Sequence, residues 1–159
     1  MSISDMIVVM KLGVVQQIGA PQEVYDNPRN LFVAKFLGTP PINVFEGAVK
    51  GGKLYLGDQA VLETPGIQDC EVMVGVRPEG FELSENGPLV CKLSNVEVMG
   101  RDVSIVSSHA ASANPIVRSI IDADNKVDMS QAEVRFELKP HKVFIFDKET
   151  EERIDFEVK

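Results

Sequence analysis

From residue 43 onward the chain is a succession of short strand-like runs, and this rhythm restricts the folds that are open to it. Apolar and polar residues alternate within each run, and Gly, Pro, Asn or Asp separates one run from the next. The pattern predicts strands over Val44–Lys50, Lys53–Leu56, Ala60–Glu63, Cys70–Val76, Leu89–Met99, Asp102–Ser107, Asn114–Ile121, Ala132–Leu138, Lys142–Phe146 and Arg153–Glu157. Many short strands with frequent turns are typical of a small β-barrel or β-sandwich.

One of these runs, Leu89–Met99, changes its phase midway. Its apolar residues alternate in one phase up to Leu93 and in the opposite phase from Val96 onward. Such a change predicts a bulge or a strong bend, which the corners of a barrel need. Gly100 then predicts a turn into the following strand.

The segment at the start of the chain has a different character. Ile7–Met10 and Val14–Ile18 are rich in β-branched residues and are joined by a turn at Lys11–Gly13, which together predict a hairpin. A short helix is predicted to begin at Pro21, since proline suits the first helical position. Glu23 then complements the positive end of that helix.

A second short helix is predicted to have Asn27 as its N-cap and Pro28 at its first position. Gly38 is predicted to cap its C-terminus, and Pro40–Pro41 prevents continuation. Gly38–Pro41 is therefore the predicted boundary between two units, residues 1–41 and residues 42–159. The predicted helix carries Leu31, Phe32, Ala34, Lys35 and Phe36.

The bulk composition disfavours several classes of protein. The 159 residues are 44% apolar and carry a net charge of −8, and a negative chain repels the phosphate backbone of nucleic acids. The apolar stretches are far shorter than the ~20 residues that span a membrane, and no leader pattern is visible, so a cytoplasmic location is expected. Cys70 and Cys91 lie in strand-like runs and are expected to be free thiols.

A near-match to a phosphate-binding loop occurs at Gly47–Leu54. Leu54 stands where that loop needs a Ser or Thr to bind magnesium, and a strand-like run follows where a helix is needed. The expected structure is instead a hairpin with Gly51 and Gly52 at its turn.

Other polar groupings also lack the spacing of a chemical site. Asp122–Lys126 begins like a calcium loop but lacks the glycine at the sixth position, so a solvated turn is expected. His109 lies in a polar loop and His141 at a strand start, and no cysteine or carboxylate recurs beside either at ligand spacing. Surface or turn roles are expected for both histidines.

Arg77, Pro78 and Glu79 are the candidate contact residues of the β-rich region. Pro78 ends the preceding strand and forces Arg77 into an extended conformation, so that Arg77 and Glu79 flank a rigid turn. Two interpretations stay open, a structural corner and a contact between domains or subunits. The sequence offers no catalytic, cofactor-binding or metal-binding residue.

Two segments resemble one known family. Ser4–Pro28 follows the pattern D-x-I-V-V-M-x-x-G-x-V-x-Q-x-G and then P-x-E-V-Y-x-x-P, which is similar to the end of the nucleotide-binding domain of ABC importer ATPases. Gly75–Glu79, which reads G-V-R-P-E, resembles a marker of the C-terminal regulatory domain of their maltose-type, carbohydrate-importing branch. The resemblance continues through Asn30–Gly38 and is weaker over Val90–Ile121. It implies a mainly β fold, an OB-like (TOBE) barrel preceded by a β-hairpin and two short helices.

The resemblance also implies a function, that of the regulatory and dimerising domain of the ATP-binding subunit of an importer, with sugars as the first substrate class. Polyamine and glycerol-phosphate importers have a similar tail. The sequence contains no Walker A, signature or Walker B motif and no switch histidine, so the chain is expected to begin just past the last catalytic element and not to be an enzyme. No cofactor is expected, whereas ATP and Mg²⁺ would serve the parent protein.

The partners implied are a second copy of the ATPase subunit in a homodimer, the permease subunits reached through the ATPase domain, and a cytosolic regulator. Nucleic acid is not among them, and the parent complex would lie on the inner face of the cell membrane. Because the hairpin is too small to bury its own apolar faces, the strand edges at Ile7–Met10 or Val14–Ile18 are expected to pair with another copy.

A stand-alone OB-type module that binds a small oxyanion or an oligonucleotide is the alternative. An oligonucleotide site needs exposed aromatic rings among basic residues. The 8 Phe and 2 Tyr fall mostly inside strand-like runs and are expected to be core residues.

Overall fold

The computed structural model describes residues 6–37, 42–122 and 132–154. The predicted boundary at Gly38–Pro41 and most of the Asp122–Lys126 turn lie outside these residues, as does the end of the predicted strand Arg153–Glu157. The strands are β1 (Ile7–Lys11), β2 (Val14–Gly19), β3 (Asn43–Lys50), β4 (Lys53–Leu56), β5 (Gln59–Glu63), β6 (Cys70–Val76), β7 (Phe81–Leu83), β8 (Leu89–Met99), β9 (Asp102–Ser108), β10 (Val117–Asp122), β11 (Glu133–Leu138), β12 (Val143–Asp147) and β13 (Arg153–Ile154). The helices are α1 (Pro21–Asp26) and α2 (Leu31–Phe36), and 3-10 turns occupy Pro78–Gly80 and Pro140–Lys142.

The strands form three antiparallel sheets. β1 and β2 make a separate hairpin, a five-stranded sheet has the order β10-β9-β8-β11-β7, and a six-stranded sheet has the order β13-β12-β6-β3-β4-β5. The edge strands β10 and β7 of the five-stranded sheet approach each other, so this sheet is nearly closed. The prediction of a mainly β, OB-like fold is confirmed.

The main core lies between the inner faces of the two larger sheets. Alternation along each strand places its apolar residues on this side, as β11 shows with a strict exposed–buried pattern. Phe81 and Phe136 meet edge to face inside it, with ring centroids 5.1 Å apart. Five of the phenylalanines, Phe45, Phe81, Phe136, Phe144 and Phe146, are 2% exposed or less, which confirms that these aromatic rings are core residues.

Helix α2 lies on the outer face of the six-stranded sheet. Its residues Leu31 and Ala34 are buried in a second cluster with Val44, Phe144 and Phe146. The inner face of the hairpin packs on the helices through a third cluster centred on Val9, Val24 and Val33. The apolar face of α2 is therefore covered by the barrel and the inner face of the hairpin by the helices, while pairing of the hairpin edges with another copy stays a prediction.

The outer face of the hairpin is uncovered in the described part of the chain. Val8 and Met10 of β1 are each 50% exposed, and their cross-strand partners Ile18 and Val15 are also exposed. Leu12, at the turn, is 96% exposed. These residues form an apolar patch that no described element covers, which we call the hairpin patch.

Several turns follow the sequence prediction. Gly51 and Gly52 have positive φ angles of 59° and 75° and join β3 to β4 as a tight hairpin, so Gly47–Leu54 is not a phosphate-binding loop. The register of β8 against β9 shifts between Leu93 and Asn95, which confirms the predicted bulge. Cys70 and Cys91 are free.

The prediction of the second helix start was wrong. Asn27 ends α1, its N–H binding the carbonyl of Glu23, and α2 is instead capped by Asn30, whose Oδ1 accepts the N–H of Val33 at 2.9 Å. The cause is the buried side chain of Gln17. Its carboxamide bridges the carbonyl of Asn27 and the N–H of Arg29, which holds the connection out of a helix.

Two strand predictions also need correction. The short strand β7 was not predicted, because three residues are too few to show an alternation. β10 begins at Val117 rather than at residue 114, whose backbone N–H donates to Oγ of Ser112 in the preceding loop. Glu46 N–H donates to Ala111 and Ala113 N–H donates to Val44, so this loop runs beside β3.

Among the described residues no helix has the length and apolar character needed to cross a membrane.

A substitution at Gly87 tests how closely the β7–β8 connection packs against the backbone of Phe136. A Cβ atom there would lie 2.5 Å from the backbone of Phe136, and a backbone cannot move aside cheaply. We expect Gly87→Ala to lower the free energy of unfolding by about 2 kcal/mol, as overpacking does. Chemical denaturation measures the change, with the exposed neighbour Asn86→Ala as a control that should change little; equal stability of the two variants would contradict the close approach.

Candidate interaction site around Arg77

Arg77 lies where β6 ends, and its backbone is fixed on both sides. It has the extended conformation predicted for a residue before proline, with φ −62° and ψ 148°. Its N–H donates to the carbonyl of Lys142 at 3.1 Å, and its carbonyl accepts the N–H of Gly80 at 2.8 Å. These contacts aim the side chain out of the barrel towards the two helices.

Arg77 is 1% exposed, and its guanidinium binds the backbone of both helices. Nη1 donates to the carbonyls of Ala34 and Leu37, each at 2.9 Å, and Nη2 donates to the carbonyl of Tyr25 at 2.8 Å. All three acceptors lie at helix C-terminal ends, whose carbonyls have no partner within the helix and carry partial negative charge. One side chain of the barrel therefore caps two helices.

Aromatic rings complete the enclosure of this cation. Cζ of Arg77 lies 3.9 Å from the ring centroid of Tyr25 and 5.5 Å from that of Phe144. Burial lowers the pKa of the Arg77 guanidinium, although an arginine stays protonated in proteins. Its Nε is buried without a hydrogen-bond partner, a cost that the other contacts offset.

Charged side chains surround the rim of the site. The Tyr25 hydroxyl donates to Oε1 of Glu79. The Lys142 ammonium lies 3.7 Å from the same Glu79 oxygen and 3.9 Å from Oδ1 of Asp26. Because Glu79 and Lys142 belong to the barrel and Tyr25 and Asp26 to α1, this rim joins the same two parts of the molecule as Arg77 does.

A second attachment lies at the other end of α2. The carbonyl of Glu151 accepts the N–H of Leu31 at 3.0 Å, and the N–H of Arg153 donates to the carbonyl of Arg29 at 3.0 Å. Glu151 adopts φ 63°, a conformation that costs a non-glycine residue free energy. The segment after β12 thus binds the connection between the helices.

The structure places the three candidate residues Arg77, Pro78 and Glu79 in one site together with residues that the sequence did not indicate. Arg77 and Glu79 act together, while Pro78 starts the 3-10 turn that positions them. Tyr25 and Lys142 belong to the site but were not predicted from the sequence. Tyr25 lies in the family motif, but no pattern in the sequence indicates that its ring packs against Arg77. His109 and the exposed His141 are outside this site.

Comparison with known proteins identifies relatives of this chain. No protein-family model matches it. It is 36% identical over 160 residues to a putative ABC transporter ATP-binding protein of Mycoplasma pneumoniae, covering 98% of this chain and 26% of that protein. It is 34% identical over 173 residues to the oligosaccharides import ATP-binding protein MsmX of Bacillus subtilis, covering 97% of this chain and 46% of that protein. An sn-glycerol-3-phosphate import ATP-binding protein of Psychromonas ingrahamii is 26% identical over the full chain and 44% of its own length.

Over nearly its whole length, the chain is a homologue of the C-terminal part of ABC transporter ATP-binding subunits. The relatives named above include subunits for oligosaccharide and glycerol-phosphate import. The chain spans between about a quarter and just under half of their length.

Replacing Arg77 tests whether it holds the helices. Arg77→Met leaves three helix carbonyls without a donor, and we expect the opening free energy of the helices to fall by about 3 kcal/mol. Hydrogen exchange at the amides of Val24 and Ala34 measures this, with amides of β8 reporting on the barrel. Arg101→Met, which removes an exposed arginine, is the matched control. Equal loss of protection in β8 would contradict a local role.

Tyr25 makes the attachment sensitive to alkaline pH. Burial first, and then the hydrogen bond to Glu79, raise the pKa of its phenol from 10.0 to about 12. Since the folded state holds this proton to a higher pH than the unfolded state does, its stabilising contribution is complete below about pH 10 and is lost as the pH rises towards 12. We expect Tyr25→Phe to flatten the decline of the urea midpoint above pH 10, and a decline as steep as in the unaltered protein would contradict this role of Tyr25.

Proposed function

We propose that this chain is the regulatory and dimerising domain of the ATP-binding subunit of an ABC importer, with sugars as the substrate class. The homology to the C-terminal part of such subunits carries the proposal. Two relatives, an ATP-binding protein for oligosaccharide import and one for sulfoquinovosyl glycerol transport, support a carbohydrate substrate. A third relative, for glycerol-phosphate import, makes that class the nearest competitor.

In this proposal the chain contributes no catalytic residue and binds no cofactor of its own. ATP and Mg²⁺ bind to the catalytic part of the parent protein, which acts from the inner face of the membrane together with permease subunits. A second copy of the subunit and a cytosolic regulator are the other partners. The support is the sequence, which has no Walker A, signature or Walker B motif and no switch histidine.

The hairpin patch is where the catalytic part would attach. Val8, Met10, Val15 and Ile18 offer a flat apolar surface, and large exposed apolar surfaces mark contacts with other proteins or domains. The unit of residues 1–41 would then belong to the catalytic part, and residues 42–159 to the regulatory barrel. Pairing of the hairpin edges with a second copy stays a prediction.

Arg77, Pro78 and Glu79 would be the domain contact of this arrangement. Arg77 holds the helices of the first unit against the barrel of the second through charge-assisted hydrogen bonds to helix carbonyls, and Glu79 does so by accepting from the Tyr25 hydroxyl. Pro78 starts the turn that positions both residues. A movement of the catalytic part would reach the barrel through this contact.

A chimaera with MsmX of Bacillus subtilis tests the proposal. The matched C-terminal part of MsmX is replaced by this chain, and oligosaccharide uptake is measured in cells that lack their own copy. We expect the chimaera to restore uptake, because this chain supplies the dimerising domain while MsmX supplies the ATP site.

A chimaera without residues 42–159 should lose uptake while its ATP site stays intact, and one carrying Arg101→Met should behave as the unaltered chimaera. If the complete chimaera hydrolyses ATP yet remains monomeric and fails to support uptake, the proposed role is wrong.

A further inference from the structure

A cleft of about 740 Å³ opens between the β4–β5 turn and strands β8, β9 and β11. Its volume falls within the ~300–1,000 Å³ that ligand pockets occupy. Val90 and Ala132 give it apolar wall area, and polar side chains reach it from four segments. Neither Arg77 nor the hairpin patch takes part in it.

The side chain of Gln59 has a fixed orientation at this cleft. Its Oε1 accepts the N–H of Val90 at 3.0 Å, which distinguishes the oxygen from the nitrogen of the carboxamide. The same oxygen lies 3.0 Å from Nε2 of His109. With Oε1 occupied in this way, the amide NH₂ of Gln59 is turned away from both partners, and no described residue accepts from it.

The protonation state of His109 follows from the same contacts. Its Nδ1 accepts the N–H of Ala111 at 3.0 Å, so the ring proton must be on Nε2, where it is donated to Gln59. Burial lowers the pKa of this histidine, in keeping with a neutral ring. The ring also meets Phe45 edge to face at 5.8 Å, which fixes its plane. His109 therefore acts as a support that orients the Gln59 amide.

Both donors and acceptors line the cleft around this amide. Ser108, Lys92 and Glu133 are cross-strand neighbours on β9, β8 and β11, and Asp58 lies at the β4–β5 turn. The described part of the chain gives these four side chains no hydrogen bond or ion pair. Together with Gln59 they offer an amide, a hydroxyl and an ammonium as donors and two carboxylates as acceptors.

We propose that this cleft binds a polyhydroxylated ligand of mono- or disaccharide size. Each hydroxyl of such a ligand both donates and accepts, so it needs the mixture of groups found here, whereas an anion would be repelled by Asp58 and Glu133. The apolar walls contact the C–H faces of the ring. This proposal rests on the cleft alone and is independent of the import function.

Titration of the isotope-labelled chain with maltose tests the site. We expect amide chemical shifts to move at Gln59, Ala110 and Glu133, which line the cleft, and to stay unchanged at Arg77 and in the hairpin. Sulfate is the second probe. Shifts with maltose support the proposal, whereas shifts with sulfate alone, or with neither probe at millimolar concentration, overturn it.

Gln59→Glu is the decisive variant. It keeps an oxygen for Val90 and His109 but replaces the free donor NH₂ by an acceptor, and we expect maltose affinity to fall about tenfold, the effect of one lost hydrogen bond. Gln68→Glu makes the same change of charge at an exposed position outside the cleft and should leave affinity unchanged.

Lys92→Met is a second variant for the maltose titration, and it can be used if Gln59→Glu disturbs the fold. It removes an exposed donor and leaves the Gln59–His109 contact in place, and it too should weaken maltose binding. Unchanged affinity in a folded Gln59→Glu or in Lys92→Met would overturn the assignment. If maltose does not bind but the chimaera supports uptake, the proposal of a ligand site in the cleft is wrong and the proposed import function is unaffected.

Discussion

The buried guanidinium of Arg77 is the interaction on which the attachment of the helices depends. Removing a cation from water is costly unless acceptors replace the lost hydration. Here the carbonyls of Tyr25, Ala34 and Leu37 do so. The helices gain as well, because each has only six residues and is too short to persist alone. The barrel supplies the donor that they lack, and they supply the acceptors that its cation needs.

The apolar surface of the chain is distributed in a way that complements this polar contact. α2 covers the outer face of the six-stranded sheet, and the inner face of the hairpin covers the helices. Most of the large apolar side chains that remain exposed lie in the hairpin, in the patch around Val8 and Ile18. A buried charge with directed hydrogen bonds fixes a geometry, whereas a flat apolar patch gains from burial in any register. The two surfaces are therefore suited to different tasks, orientation at Arg77 and cover at the hairpin.

The sequence allowed the fold class to be predicted because its signals are local. Alternation and turn residues gave the strands, and the change of phase in Leu89–Met99 gave the bulge. The start of α2 was missed because Gln17, ten residues away from Asn27, decides the conformation there. The site was predicted only as Arg77, Pro78 and Glu79. Pro78 predicts the shape of its own turn, but nothing local indicates which carbonyls the Arg77 side chain reaches 40 to 52 residues away.

The position of the two attachments determines how the helices can move. Arg77 follows the end of β6, and Phe144, which packs under α2, lies in β12, the strand paired with β6. The carbonyl of Glu151 binds α2 at its other end. A rotation of α2 about its axis would break hydrogen bonds at both ends and expose apolar residues between them. Because β6 and β12 lie inside the six-stranded sheet rather than at its edge, a force on the helices acts on the centre of that sheet.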